Sequence, residues 1–185
     1  MDAPRRVPTD RKKVIMYYSA QYASPVGTLT LCAHEDKLAG LWLEGQKYFG
    51  ASISGEMVPK EDIPVLLRAR EWLDRYFAGQ APDPAELPIS PMGTPFRQTV
   101  WKLLLEIPYG QVITYGQLSW RTAAALGRPS MAAQAVGNAA GHNPISIIIP
   151  CHRLVGADGS LTGYAGGLER KQWLLLHEQK TGDAS

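Results

Sequence analysis

The sequence has little cysteine: only Cys32 and Cys151 in 185 residues. That excludes a dense disulfide framework and points to a reducing, intracellular setting. Long apolar runs are missing too. The longest, Ile145–Cys151, contains Ser146 and Pro150 and falls far short of the roughly 18 residues a membrane helix needs. The N-terminal stretch MDAPRRVPTDRKKVI is basic but has no apolar segment behind it, so a secretory signal is not expected. An excess of charge of one sign is also absent, the net charge being +2. With 45% hydrophobic and 19% charged residues, wholesale disorder is excluded. A chain of this length folds as one domain, or one with a small companion, and can bury a core of its own.

The charge is uneven. Residues 1–15 carry a net +3, residues 16–90 a net −4 and residues 91–185 a net +3. The patterning divides the chain in the same way. After the basic tail at 1–15, residues 16–80 alternate, with short strands expected at Tyr17–Tyr22, Thr28–His34 and Leu38–Glu44. In the second of these, Leu29, Leu31 and Ala33 share one face and Thr30, Cys32 and His34 the other. A helix follows over Pro64–Ala78, with Leu66, Leu67, Ala69, Leu73, Tyr76 and Phe77 on its buried face and Gly79 as its stop. Residues 81–93 hold Pro82, Pro84, Pro88 and Pro91 and read as an extended linker without regular structure.

Residues 94–180 read as a second, mostly helical unit, with a short tail at 181–185. Thr94 followed by Pro95 caps a helix running to Ile107. Thr114 and Gln117 form a capping box for a helix from Tyr115 to about Leu126. After the turn Gly127–Ser130, a small-residue helix is expected at Met131–Ala140. Helix, short turn, compact helix is helix-turn-helix spacing. The run Ile145–Ile149 reads as a short buried strand ending at Pro150, which places Cys151 at an accessible strand-to-loop corner. His152 and Arg153 follow, and positive neighbours favour thiolate. A glycine-rich loop, 156–167, comes next and can wrap closely around a flat ligand. Cys32 has the look of a core thiol. With only His34 nearby it offers too few ligands for zinc, so no metal site is expected.

Pro150–Cys151–His152–Arg153 followed by Gly163–Tyr164–Ala165–Gly166–Gly167 resembles the O6-alkylguanine-DNA alkyltransferase family. The resemblance runs from Thr94 to Glu178 and includes Ile107–Pro108–Tyr109–Gly110, Thr114–Tyr115, Ala135–Val136–Gly137, Asn143–Pro144 and Trp173–Leu174–Leu175. It implies an α+β chain: a small N-terminal antiparallel sheet with a helix (ribonuclease H-like), then a helical domain carrying the helix-turn-helix and the reactive cysteine. It also implies direct DNA repair, in which Cys151 irreversibly accepts an alkyl group from O6 of a flipped-out guanine, or from O4 of thymine, once per molecule and without a cofactor. A soft thiolate suits displacement at an alkyl carbon, and a base inside the stack is otherwise unreachable.

By the same resemblance His152 takes the thiol proton through a water. Glu178 orients His152 and favours its cationic form. Tyr115 supplies an acidic hydroxyl to the leaving guanine, and Asn143 steadies the cysteine region. Leu154, Tyr164 and Ala165 surround the base. Thr114, Arg128, Met131, Gln134, Ala135, Gly137 and Arg153 face double-stranded DNA, entered through the minor groove by a monomer, with cooperative binding left open. Gln134 is a departure, since the family usually has arginine there. The setting is cytoplasmic in a prokaryote and nuclear in a eukaryote, with no membrane involved. A non-catalytic, alkyltransferase-like damage-binding protein is the alternative, and it would lack the reactive cysteine that Cys151 supplies.

Overall fold

The computed structural model describes residues 14–183; most of the basic tail and residues 184–185 lie outside the described residues. Three strands, β1 (Met16–Ser24), β2 (Gly27–His34) and β3 (Lys37–Leu43), form an antiparallel meander. A fourth, β4 (Glu56–Pro59), joins β1 in parallel, so the sheet is mixed and its order is β3-β2-β1-β4. Alternation along β2 sends Leu29, Leu31 and Ala33 into the main core. Cys32 points to the other face, into a small cluster with Tyr17, Ala39 and Trp42.

Helix α1 (Pro64–Phe77) buries Val65, Leu66, Ala69, Trp72, Leu73 and Tyr76. Leu67, expected on that face, is exposed, and Trp72 is buried there. Gly79, at φ +80°, ends the turn.

The proline-rich stretch 81–93 is more ordered than its composition suggests. Its backbone runs along the outer edge of β3: Leu38 N donates to Pro88 O at 2.8 Å and Ser90 N donates to Leu38 O at 2.8 Å. Proline lacks a donor, but Pro88 is used here only as an acceptor, so the edge pairing survives it. Pro84–Glu86 form one 3₁₀ turn, and Leu87 is buried.

Helix α2 (Pro95–Leu104) is capped by Thr94, whose Oγ1 accepts from Arg97 N, and stops short of Ile107, which is buried beyond its end. Trp101 Nε1 donates to Ala139 O at 2.9 Å, binding α2 to α4 (Ala133–Gly141). Helix α3 (Tyr115–Ala125) carries the expected capping box in full. Helix α4 begins at Ala133 rather than Met131: the backbone is still extended at its N-cap, Ala132. Two-residue strands β5 (Ile113–Thr114) and β6 (Leu154–Val155) pair in parallel, and α5 (Leu168–Gly182) closes the fold.

The isoleucine run is buried but is not a strand. Only Ile145 pairs, in a bridge to Leu41 on the same β3 edge. The chain then turns, with Ile149 N donating to Ile145 O at 3.0 Å and Ile147 at φ +71°. A β-branched residue in the left-handed region costs on the order of 1–3 kcal/mol and persists only where its surroundings enforce it.

Candidate active site

Asn143 enforces that turn. It is buried; its Oδ1 accepts from Ile145 N at 2.9 Å, and its Nδ2 donates to Ile149 O at 2.8 Å and to Cys151 Sγ at 3.3 Å. One amide thus shapes the turn and touches the sulfur. Cys151–Arg153 form a single 3₁₀ turn, not an extended corner, and Cys151 is 7% exposed. Pro150 cannot continue a ladder, so the chain tightens and draws the thiol inward. Burial pushes the Cys151 thiol up; the Asn143 bond and nearby Lys171 pull it down without cancelling that rise.

Behind the thiol lies a fully buried network. His152 Nε2 is 3.1 Å from Glu178 Oε2. Burial lowers His152 from its ordinary value, and Glu178 does not reverse it. That direction favours the neutral imidazole, where the sequence led us to expect Glu178 to favour the cation. An ionised carboxylate can only accept, so Nε2 carries the hydrogen and Nδ1 keeps a lone pair. Among the described residues Nδ1 has no hydrogen-bond partner. Burial would raise the Glu178 carboxyl, but His152 and Arg153 outweigh it and hold it at about 2.

Arg153, expected to face DNA, is turned inward. It is 5% exposed; Nε donates to both Glu178 oxygens at 2.9 and 3.1 Å, Nη2 bonds Glu178 Oε1, and Nη1 donates to Ile107 O at 2.6 Å. A guanidinium enclosed this way has no fork left for a phosphate.

Tyr115 opens α3 with its ring 3.5 Å from where a side chain on Gly137 would begin. Its hydroxyl donates to Thr162 O at 2.6 Å, and burial raises its pKa above the ordinary 10. The phenol is a held, protonated donor rather than an acidic one. Lys171 escaped the sequence reading. It is completely buried, donates from Nζ to Gly163 O at 3.1 Å and Thr162 O at 3.3 Å, and lies 5.7 Å from the Tyr115 ring centroid. Burial lowers it to about 8, with Cys151 acting in the opposite sense. A signal was available: Lys171, Leu174, Leu175 and Glu178 form the single buried stripe of α5.

A cavity of about 200 Å³ brings together Tyr115, Gly137, Cys151, Leu154, Tyr164 and Ala165. An open groove beside it shares Tyr115 and Gly137 and is bordered by Gln134. Gln134 and Arg128 are exposed, Met131 and Ala135 are half-buried, and Thr114 caps α3 at the base of the motif. Among the described residues no group of three or more His, Cys, Asp or Glu could hold a metal, and no helix is long and apolar enough to cross a membrane.

Two family profiles match the chain: the 6-O-methylguanine DNA methyltransferase ribonuclease-like domain over residues 16–91, and the DNA binding domain of the same name over residues 95–180. A methylated-DNA–protein-cysteine methyltransferase of Haemophilus influenzae is 40% identical over 164 residues, covering 89% of this chain and 87% of that one. A crystal structure of Mycobacterium tuberculosis OGT in complex with DNA is similar with a TM-score of 0.75 at 39% identity, over 90% of this chain and 94% of that one. The O6-methylguanine-DNA methyltransferase of Pyrococcus kodakaraensis gives a TM-score of 0.61 at 26% identity, over 88% of this chain and 99% of that one.

Proposed function

The chain belongs to the 6-O-methylguanine DNA methyltransferase family, and from that premise we propose that it repairs DNA by moving an alkyl group from O6 of a flipped-out guanine onto Cys151, once per molecule. The observation that carries this is the Cys151 thiol lining a cavity beside a helix-turn-helix, with Asn143 on its sulfur and a neutral His152 next in the chain.

The thiol proton passes through a water to His152 Nδ1, the unpartnered lone pair of a ring that Glu178 holds by its other nitrogen. The sulfur attacks the alkyl carbon; the S–C bond forms as the C–O6 bond breaks, and the electron pair goes to the guanine. That anion takes a proton relayed by the Tyr115 hydroxyl. Burial raises this phenol, so it stays protonated and donates a hydrogen bond to the leaving base as charge develops there. Lys171 contributes positive charge beside the developing thiolate. Cys32 sits in the separate Trp42 cluster, so nothing near Cys151 resolves the thioether. No step calls for a cofactor.

DNA binding follows from the family. The finer reading is that α4, small and nearly uncharged, lies along the minor groove floor of a duplex bound by a monomer, and that Gln134 occupies the place of the extruded base. Groove-floor reading carries little sequence information, which suits damage found anywhere. Cys151→Ala tests the proposal: it should abolish transfer and leave duplex binding within a few-fold. Transfer that survives the substitution would defeat it.

A further inference from the structure

We propose that Lys47 and Tyr48 of the N-terminal half, with His142 at the end of α4, form one wall of the Cys151 cavity and make it favour aromatic O6 substituents, which pack against the stacked rings of Tyr48 and His142. The proposal rests on the transfer reading above.

The wall is built, not incidental. Gln46 is 6% exposed, and its Oε1 accepts from Leu43 N at 2.8 Å and from Ser146 Oγ at 3.1 Å. This buried amide fixes the start of the segment against the turn that Asn143 shapes. Lys47 N donates to Ala165 O at 3.0 Å, tying the segment to the glycine-rich loop. Tyr48 stands at φ +58°, a left-handed conformation that a tyrosine adopts only under constraint. It brings its ring to 3.9 Å from that of His142, centroid to centroid, at 21° between planes. His142 is held in turn by Nδ1, which donates to Asn138 O at 2.8 Å. Lys47, Tyr48 and His142 line the same cavity as Cys151, Tyr164 and Ala165.

The chemistry follows from reach. A methyl group on O6 ends at the sulfur it is about to join. A benzyl group extends past the reacting carbon into the rest of the cavity, whose lining includes the stacked rings of Tyr48 and His142. One aromatic contact of that kind is worth roughly threefold to tenfold in rate when it forms in the transition state. The wall leaves the basal methyl transfer alone, because neither ring belongs to the thiol network.

The test uses the full chain and two duplexes that differ only in carrying O6-methylguanine or O6-benzylguanine at one position. Single-turnover rates are read from intact-protein mass, so base flipping is common to both substrates. Tyr48→Gly, which suits the left-handed backbone, and His142→Ala should each slow benzyl transfer about threefold to tenfold, with methyl transfer within twofold of the wild type. Tyr48→Phe should retain the benzyl rate. Equal slowing of both substrates, no slowing, or faster benzyl transfer would overturn the inference. Wild-type protein that transfers neither group to Cys151 would instead overturn the transfer reading beneath it.

Discussion

Replacing Glu178 with glutamine should destabilise the protein by about 3 kcal/mol, and the same buried Glu178–Arg153 pair gives that figure from either side. The first is the carboxyl itself. It is 1% exposed and held at about 2 instead of its ordinary 4.5, a difference equivalent to about 3 kcal/mol of folding stability at neutral pH. The second is what the substitution leaves behind. Arg153 is 5% exposed, and its anion is Glu178. Removing one partner of a buried pair typically costs about 3–5 kcal/mol, because the other charge remains without compensation. Against a total stability of about 5–15 kcal/mol this is a large fraction. With a urea dependence of about 1–3 kcal/mol per molar, the midpoint of unfolding should fall by about 1–3 M.

The pH dependence gives a second readout. A depressed carboxyl stabilises the fold above its unfolded value, and that stability drains away as pH falls from about 4.5 toward 2. Glu178→Gln should lose this part of the wild-type acid profile. A depressed histidine acts earlier: below about 6.5 the unfolded chain takes up a proton that buried His152 refuses, so stability declines from there in both proteins. An unchanged urea midpoint, or identical acid profiles below pH 4.5, would refute the claim that Glu178 and Arg153 hold each other in the core.

His152→Ala and Glu178→Gln should each slow alkyl transfer by about tenfold or more, the scale of one general-base contribution, and the double variant should be little worse than the slower single one in single-turnover assays; full additivity would show that they act separately. Because His152 is held below its ordinary 6.5, transfer should persist at pH values where an unperturbed imidazole is mostly protonated, and a rate halved at pH 6.5 would contradict a neutral His152. Gln134→Arg should speed reaction on alkylated duplex and steepen its salt dependence while leaving free O6-benzylguanine unaffected, since flipping costs a few kcal/mol and a cation adds phosphate attraction; equal acceleration of both substrates would place Gln134 in the chemistry instead.

Local rules made much of this molecule legible. The alternation in β2, the Thr114–Gln117 capping box and the glycine stop after α1 each rest on neighbours within a few residues, and each stands in the structure. The errors share the opposite property. The four-residue β4 shows no alternation, because its pairing with β1 is decided by tertiary contact. The isoleucine run has strand composition, but Asn143 folds it into a turn, and an apolar run cannot announce which of the two it will be. Arg153 beside a reactive cysteine was expected to face DNA. The structure pairs it with Glu178, 25 residues away. The Cys151, Tyr115, Tyr164 and Ala165 lining was readable only through the resemblance, whereas Gln46 and Lys171 are buried polar residues whose partners are backbone carbonyls or distant side chains.

The most direct measurement is the mass of the intact protein before and after incubation with excess methylated duplex, with peptide mapping of the product. One methyl group per chain is expected, located on Cys151, with no further demethylation of DNA once every chain is modified. Repeated turnover, or a methyl group mapped to Cys32, would contradict it.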